Sequence, residues 1–162
     1  VMPAGLVVQK VNFGPILFLA ASVGMGAVIT HAGLGEALGR WLIAGFHFSR
    51  ETKFSDFASM IGLGVVLQLV TTLPGQPAIM ATFSETLSAA TGWPILTVLM
   101  TSVSAWALVM FPYQAPPLVA TRALTGISVG AFLRLMLPFA AFGWLVMVPL
   151  EFFWWQIMGY LP

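Results

Sequence analysis

A stretch of 35 residues, positions 57–91, carries one formal charge and is interrupted near its centre by TTLPGQP, residues 71–77. As one helix it would be about 52 Å long, far beyond the roughly 30 Å of a bilayer core. Two complete spans with a turn need about 40 residues, which the stretch lacks. Because two prolines and a glycine within four residues cannot continue a helix, we predict two arms of about 14 residues. Such arms enter a bilayer without crossing it, which predicts a re-entrant hairpin over residues 57–91.

Charged residues are too scarce for a water-soluble surface. They make up 7% of the chain, against about 25% in soluble domains, while 59% of the residues are hydrophobic. The composition therefore predicts an all-α integral membrane protein with lipid as its main solvent. We expect it to be a multi-pass protein of the cell (inner) membrane. A net charge of +1 gives no phosphate-tracking surface, so we expect no nucleic-acid partner.

Four further segments are predicted around the hairpin from apolar length, helical spacing and breaks. The segment FPYQAPP, residues 111–117, contains three prolines and must unwind any helix that runs into it. The polar run over residues 47–56 is predicted to be a solvent loop, and the aromatic cluster near the chain end an interfacial anchor. The predicted segments are a transmembrane helix over 12–31, an interfacial amphipathic helix over 34–46, a broken transmembrane helix over 95–124 and a last transmembrane helix over 131–156.

The two breaks are the candidate site. Where a helix ends within a membrane its carbonyl groups can coordinate a cation, and where one begins its N–H groups and positive dipole end attract an anion. The alternative is that both breaks are kinks satisfied by neighbouring helices. The candidate substrate- and ion-binding residues are Thr71, Thr72, Gly75, Gln76, Tyr113, Gln114, Ala115, Pro116 and Pro117.

Other chemistry finds no support in the sequence. It contains no HExxH, P-loop, GxSxG or dinucleotide motif, so we expect neither an enzyme nor a bound metal or cofactor apart from a coupling ion such as Na⁺. Cysteine is absent, which excludes disulfides and thiolate metal sites. Glu85, in the second arm of the hairpin, is open to two interpretations, interfacial solvation or a functional charge.

Two local sequences carry a resemblance to a known family. GMGAVITHAGLGEAL, residues 24–38, and FPYQAPPLVA, residues 111–120, together with the order of segments, resemble the C-terminal half of the divalent anion/sodium symporter family of the ion transporter superfamily. The resemblance implies one of two inverted repeats, each with a re-entrant hairpin and a broken helix, in a homodimer. It also implies transport of dicarboxylates, citrate or sulfate with sodium.

The hairpin tip departs from that family. The family's tips carry Ser-Asn-Thr, which contacts substrate carboxylate and shapes a sodium site, whereas this chain has LPGQP at residues 73–77. The resemblance therefore implies the scaffold rather than the substrate or the ion. It places Gly75 and Gln76 at the tip and Ala115, Pro116 and Pro117 at the unwound segment.

The sequence thus predicts one repeat of a secondary active transporter for a small anion, such as a di- or tricarboxylate or sulfate, coupled to Na⁺ or H⁺. The missing N-terminal repeat is expected upstream in a longer protein or in a partner chain. Two alternatives stay open: a cation/proton antiporter or metalloid-anion permease of the same superfamily, and a non-transporting membrane subunit.

Overall fold

The described part of the chain is built from helices. The computed structural model describes residues 31–46, 48 and 52–161, together with positions 13, 14, 16, 17, 20, 21, 24 and 28. The protein is all-helical, with no strand among these residues. The predicted transmembrane helix over 12–31 lies largely outside them.

Eight α-helices follow one another in the described ranges. Helix α5 is extended by a 3₁₀ segment, Ala105–Leu108, a separate 3₁₀ turn covers Pro112–Gln114, and a π-helical turn, Gly143–Met147, joins α7 to α8. The helices are α1 Leu34–Gly45, α2 Lys53–Thr71, α3 Gln76–Thr82, α4 Ser84–Thr91, α5 Ile95–Ser104, α6 Pro116–Thr125, α7 Val129–Phe142 and α8 Val148–Ile157.

Two of the described helices are long and apolar enough to cross a membrane. They are Lys53–Thr71 and the continuous helix Val129–Ile157. The pair Ser84–Thr91 and Ile95–Leu108 passes the same test together but is bent by 108°, so the described part holds two or three candidate spans. Because lipid replaces water around such helices, this supports the membrane class that the composition predicts.

Helix α2 is the centre of the core. It packs against α3, α5, the 3₁₀ extension of α5, and α8. Its inward residues include Met60, Ile61 and Leu63, each fully buried. Gly64 allows α2 to approach the end of α5 closely, because a Cβ there would lie 2.8 Å from the Cβ of Ala105. A small residue at this point lets two helices approach closely.

The first arm of the hairpin is longer than the predicted 14 residues, and that prediction is wrong. Helix α2 has 19 residues and begins at Lys53, inside the polar run assigned to a loop. Asp56 lies in its first turn, where a negative charge is favourable, and is 1% exposed. Phe54 packs edge-on against Phe152 with ring centroids 5.1 Å apart, which holds this turn against α8. At roughly 28 Å, α2 has the length of a full span.

The second arm is divided into α3 and α4 at Phe83. The hydroxyls of Thr82 and Ser84 donate to the carbonyls of Ile79 and Ala81, respectively, at 2.7 and 2.9 Å. Such bonds compete with the helical ladder, which favours an interruption here. Helix α4 then ends at Gly92, whose φ of 77° is left-handed, and the chain turns into α5. The re-entrant position of the tip stays a prediction.

The last helix is predicted over 131–156 and runs as Val129–Ile157. Pro138 lies within α7, whereas the π-helical turn stands before Pro149, near the start of α8. Proline lacks the N–H that would bond four residues back, and a widened turn accommodates that loss. Only 22% of this helix's apolar window is buried, compared with 56% for α2. The last helix therefore presents most of its surface outward.

Candidate functional site

The two proline-rich breaks lie against each other. The N–H of Leu73, which follows α2, donates to the carbonyl of Gln114 at 2.7 Å. The hydroxyl of Tyr113 donates to the carbonyl of Leu69 at 2.8 Å. Two interruptions more than thirty positions apart in the sequence are thus joined by direct hydrogen bonds in space.

Two glutamines hold the end of α5. Gln68 Nε2 donates to the carbonyls of Ala105 and Leu108, at 3.1 and 3.4 Å. Gln76 Nε2 donates to the carbonyl of Ser102 at 3.2 Å, and its Oε1 accepts from Trp106 Nε1 at 2.7 Å. Both glutamines are fully buried. Carbonyls that α5 and its 3₁₀ extension expose are therefore occupied by side chains of α2 and the hairpin tip.

A third glutamine holds the second break. Gln114 Oε1 accepts from the N–H groups of Met110 and Phe111, at 2.8 and 2.6 Å. Gln114 is also fully buried. Unwound backbone buried in an apolar protein must find such partners, and the glutamine side chain supplies them here.

Three buried polar atoms at these breaks have no hydrogen-bond partner. Among the described residues, the buried side-chain nitrogen and oxygen atoms without a partner are Gln68 Oε1, Thr72 Oγ1 and Gln114 Nε2. Gln68 and Thr72 lie one helical turn apart, since the N–H of Thr72 donates to the carbonyl of Gln68 at 3.1 Å. Unsatisfied buried polar atoms are few in proteins and cost about 1–3 kcal/mol each. Two oxygens and one amide nitrogen therefore keep unused hydrogen-bonding capacity beside the breaks.

Thr72 also has an unusual backbone conformation. Its φ is 78° and its ψ is 162°, and no other non-glycine residue in the described ranges has a positive φ. This region is essentially restricted to glycine and costs about 1–3 kcal/mol. Strain of this size and an unpaired hydroxyl coincide in one residue at the end of α2.

The start of α6 does not offer the free N–H groups expected of a helix that begins at a break, and that expectation is wrong. Pro116 and Pro117 have no N–H. The N–H groups of Leu118 and Val119 both bond to the carbonyl of Ala115, at 3.0 and 3.2 Å, and Ala115 itself donates to Pro112. The dipole of α6 still points its positive end at the break, but its first donors are absent or occupied.

A cavity of about 560 Å³ opens beside the two breaks. Its walls combine the hairpin tip, the unwound segment and the end of α5. No described residue in its wall carries a carboxyl, hydroxyl or carboxamide group. The lining residues are Leu73, Pro74, Trp106, Ala115, Pro116 and Pro117, with Ile16 and Ala120 at its margin.

The predicted site residues divide into three sets. The first set is buried and holds the first break in shape: it consists of Thr71, Gly75 and Gln76. The hydroxyl of Thr71 donates to the carbonyl of Leu67 at 2.8 Å. Ala115, Pro116 and Pro117 line the cavity, and Tyr113 is partly exposed. Thr72 and Gln114 carry the unpartnered atoms. Contact of any of them with a ligand stays a prediction.

Sequence reasoning missed two residues. Gln68 lies within an apolar run, and a glutamine in such a run was the available signal, although its partners are 37 and 40 positions away. Glu151 is a carboxylate within the last predicted span, which by itself marks a functional candidate. Glu85, in contrast, is exposed in the first turn of α4.

No protein-family model, curated protein or solved structure matches the chain. The function is therefore inferred from the geometry of the breaks and from the resemblance of the sequence.

Proposed function

We propose that this chain is the C-terminal repeat of a secondary active transporter of the divalent anion/sodium symporter type. It carries a small anion, such as a di- or tricarboxylate or sulfate, across the inner membrane, coupled to Na⁺ or H⁺. The N-terminal repeat completes the site, and the transporter acts as a homodimer. One observation carries the proposal: two interrupted helices are joined between Leu73 and Gln114, with three unpartnered polar atoms beside the junction.

The unpartnered atoms fit an ion and an anion. Gln68 Oε1 and Thr72 Oγ1 are neutral oxygens one turn apart, and hard cations prefer oxygen ligands. Gln114 Nε2 is an N–H donor, which suits a carboxylate or sulfate oxygen. Interrupted helices at membrane depth are the recurring construction of transporter binding sites.

A second candidate function is cation/proton antiport, or metalloid-anion permeation, within the same superfamily. The start of α6 favours cation/proton antiport, because Pro116 and Pro117 remove N–H donors that any anion would use. The glutamine bonds favour the third possibility, a non-transporting subunit whose breaks are satisfied by packing.

The substitution Thr72→Val separates transport from packing. Valine keeps the β-branched shape and the strained backbone, and it removes an oxygen that makes no hydrogen bond. The structural role of the residue is therefore preserved, so thermal stability should be unchanged or slightly higher. Thr71→Val is the matched control, because it removes a neighbouring hydroxyl that bonds within α2.

The assay is Na⁺-gradient-driven uptake of labelled succinate, citrate or sulfate by the full-length protein in proteoliposomes. We expect Thr72→Val to raise the Na⁺ concentration for half-maximal uptake about tenfold, the loss of roughly one ligand interaction of 1.4 kcal/mol, and Thr71→Val to change it little. Uptake by Thr72→Val equal to wild type would refute a site at this break. Cation-driven proton movement without anion uptake would establish the antiporter instead.

A further inference from the structure

Glu151 is a described carboxylate that the proposed site does not use. It lies in α8, within the apolar span Val129–Ile157, and is only partly exposed. A carboxylate in a membrane-spanning segment is costly to keep ionised, and such residues mark ion or proton pathways. Its position between Leu150 and Phe152 leaves it surrounded in sequence by apolar side chains.

Its hydrogen-bond partner connects it to the break. Ser104 Oγ, at the last residue of α5, donates to Glu151 Oε1 at 2.5 Å. The 3₁₀ extension that Gln68 caps begins at the next residue, Ala105. The carboxylate therefore contacts the same helix end that the transport site shapes.

A cavity of about 450 Å³ gives access to this pair. Ser104 and Glu151 are the lining residues that carry a hydroxyl or a carboxyl group, and the rest of the described wall is apolar or aromatic, including Met100, Met147 and Trp154. Water and apolar molecules of moderate size both fit such a space. The carboxylate is thus reachable without being exposed on a polar surface.

The wall of this cavity is also the irregular part of the last helix. Gly143 and Met147, the two ends of the π-helical turn, both line it. A Cβ on Gly143 would overlap the side chain of Leu108, so the turn and the 3₁₀ extension of α5 are in close contact. Single π-helical turns occur frequently at functional sites.

We propose that Glu151 is a proton-binding site and that its protonation couples H⁺ to transport. The carboxylate takes one proton from water and becomes a neutral carboxylic acid, and it returns that proton on release. The coupling half of this inference deepens the proposed function and depends on it, whereas the binding half does not. Other titratable groups on segments packed against α8 are Lys53 and Asp56 on α2 and Tyr160 beyond its end, and none of them lines the cavity.

Proton binding is tested by labelling with dicyclohexylcarbodiimide, an apolar reagent that reacts with protonated carboxyl groups. The full-length protein in proteoliposomes is labelled over a pH series, and modified peptides are quantified by mass spectrometry. We expect the label on Glu151 to decrease as the pH of the series rises, because the reagent attacks only the protonated carboxyl group. Glu85, exposed on α4, is the internal control and should label far less.

Ser104→Ala adds a readout that a purely structural role would not change. The Ser104 hydroxyl donates to the carboxylate, so its removal should change how the labelling of Glu151 depends on pH. An absence of label on Glu151 at every pH, or a labelling level equal to that of Glu85, would overturn the proposal. These measurements use wild type and Ser104→Ala, so they do not require Glu151→Gln to fold.

Coupling is tested by substrate uptake driven by an imposed pH gradient. We expect Glu151→Gln to abolish the stimulation by the gradient and to flatten the pH dependence. Substrate uptake with wild-type pH dependence in Glu151→Gln would overturn coupling while leaving the proposed function intact. Specific labelling of Glu151 without transport of any anion would refute the proposed function and the coupling, and would support proton binding alone.

Discussion

Gly64 lies where α2 approaches the tip glutamine and the end of α5, and we predict that Gly64→Ala destabilises the protein. The added Cβ would lie 2.7 Å from Gln76 Nε2 and 2.8 Å from the Cβ of Ala105. Non-bonded heavy atoms are most favourable at about 3.5–4.0 Å. The Cβ of Ala105 is attached directly to the backbone, so it moves only if the end of α5 moves.

The expected magnitude follows from three effects. Overpacking costs about 1–3 kcal/mol, and weakening a Gln76 hydrogen bond adds about 1 kcal/mol. Alanine in place of glycine within a helix stabilises the folded state by about 1 kcal/mol. The free energy of unfolding should therefore fall by about 1–3 kcal/mol.

The assay is reversible unfolding in mixed micelles with increasing sodium dodecyl sulfate, followed by circular dichroism. Gly130→Ala is the control, because Gly130 is also helical and a Cβ there meets nothing within 4 Å. Its stability should be unchanged or slightly raised. Adding Ala105→Gly to Gly64→Ala should recover part of the loss by removing one of the overlapping atoms. Equal stability of the two alanine variants, or strictly additive effects in the double variant, would refute the reasoning.

Two further substitutions test the breaks by the same unfolding assay. Thr72→Gly should raise the free energy of unfolding by about 1 kcal/mol, because glycine adopts a positive φ without strain. A free energy of unfolding below the wild-type value would contradict the assigned backbone strain. Gln114→Leu should lower it by about 2–4 kcal/mol, because the N–H groups of Met110 and Phe111 lose their acceptor. Gln114→Glu keeps an acceptor oxygen and should cost less, and equal losses for the two variants would argue against this role.

The breaks themselves could be predicted because their cause is local. Proline has no N–H and clashes with the preceding turn of a helix, so clusters of prolines such as those in LPGQP and FPYQAPP favour an interruption whatever their neighbours. The end of α4 is similarly local, since Gly92 accommodates a left-handed φ that terminates the helix. These signals depend on covalent structure and not on neighbours.

The contacts that shape the site could not be predicted because their cause is tertiary. Gln76 pairs with Ser102 and Trp106, which lie 26 and 30 positions away, and nothing in the tip sequence specifies these partners. The start of α2 was misplaced for the same reason: Lys53 and Asp56 indicate a loop by composition, whereas packing of Phe54 on Phe152 favours a helix. Glu151 is visible within an apolar span, but Ser104 as its partner is not.

The chemistry of proline constrains how this chain could hold an anion under the proposed function. A helix normally offers four free N–H groups at its start. In α6 two of these are removed by Pro116 and Pro117, and those of Ala115 and Leu118 are bonded. An anion beside α6 would therefore be stabilised by the dipole of the helix, worth about 0.3–1 kcal/mol, without its hydrogen bonds.

The two oxygens at the end of α2 point to a different source of stabilisation. A cation bound by Gln68 and Thr72 and lying about 4 Å from the anion would contribute about 4 kcal/mol at an effective dielectric constant of 20. Of the two effects the ion is the larger, so under the proposed function we expect the anion to bind after the cation rather than before it.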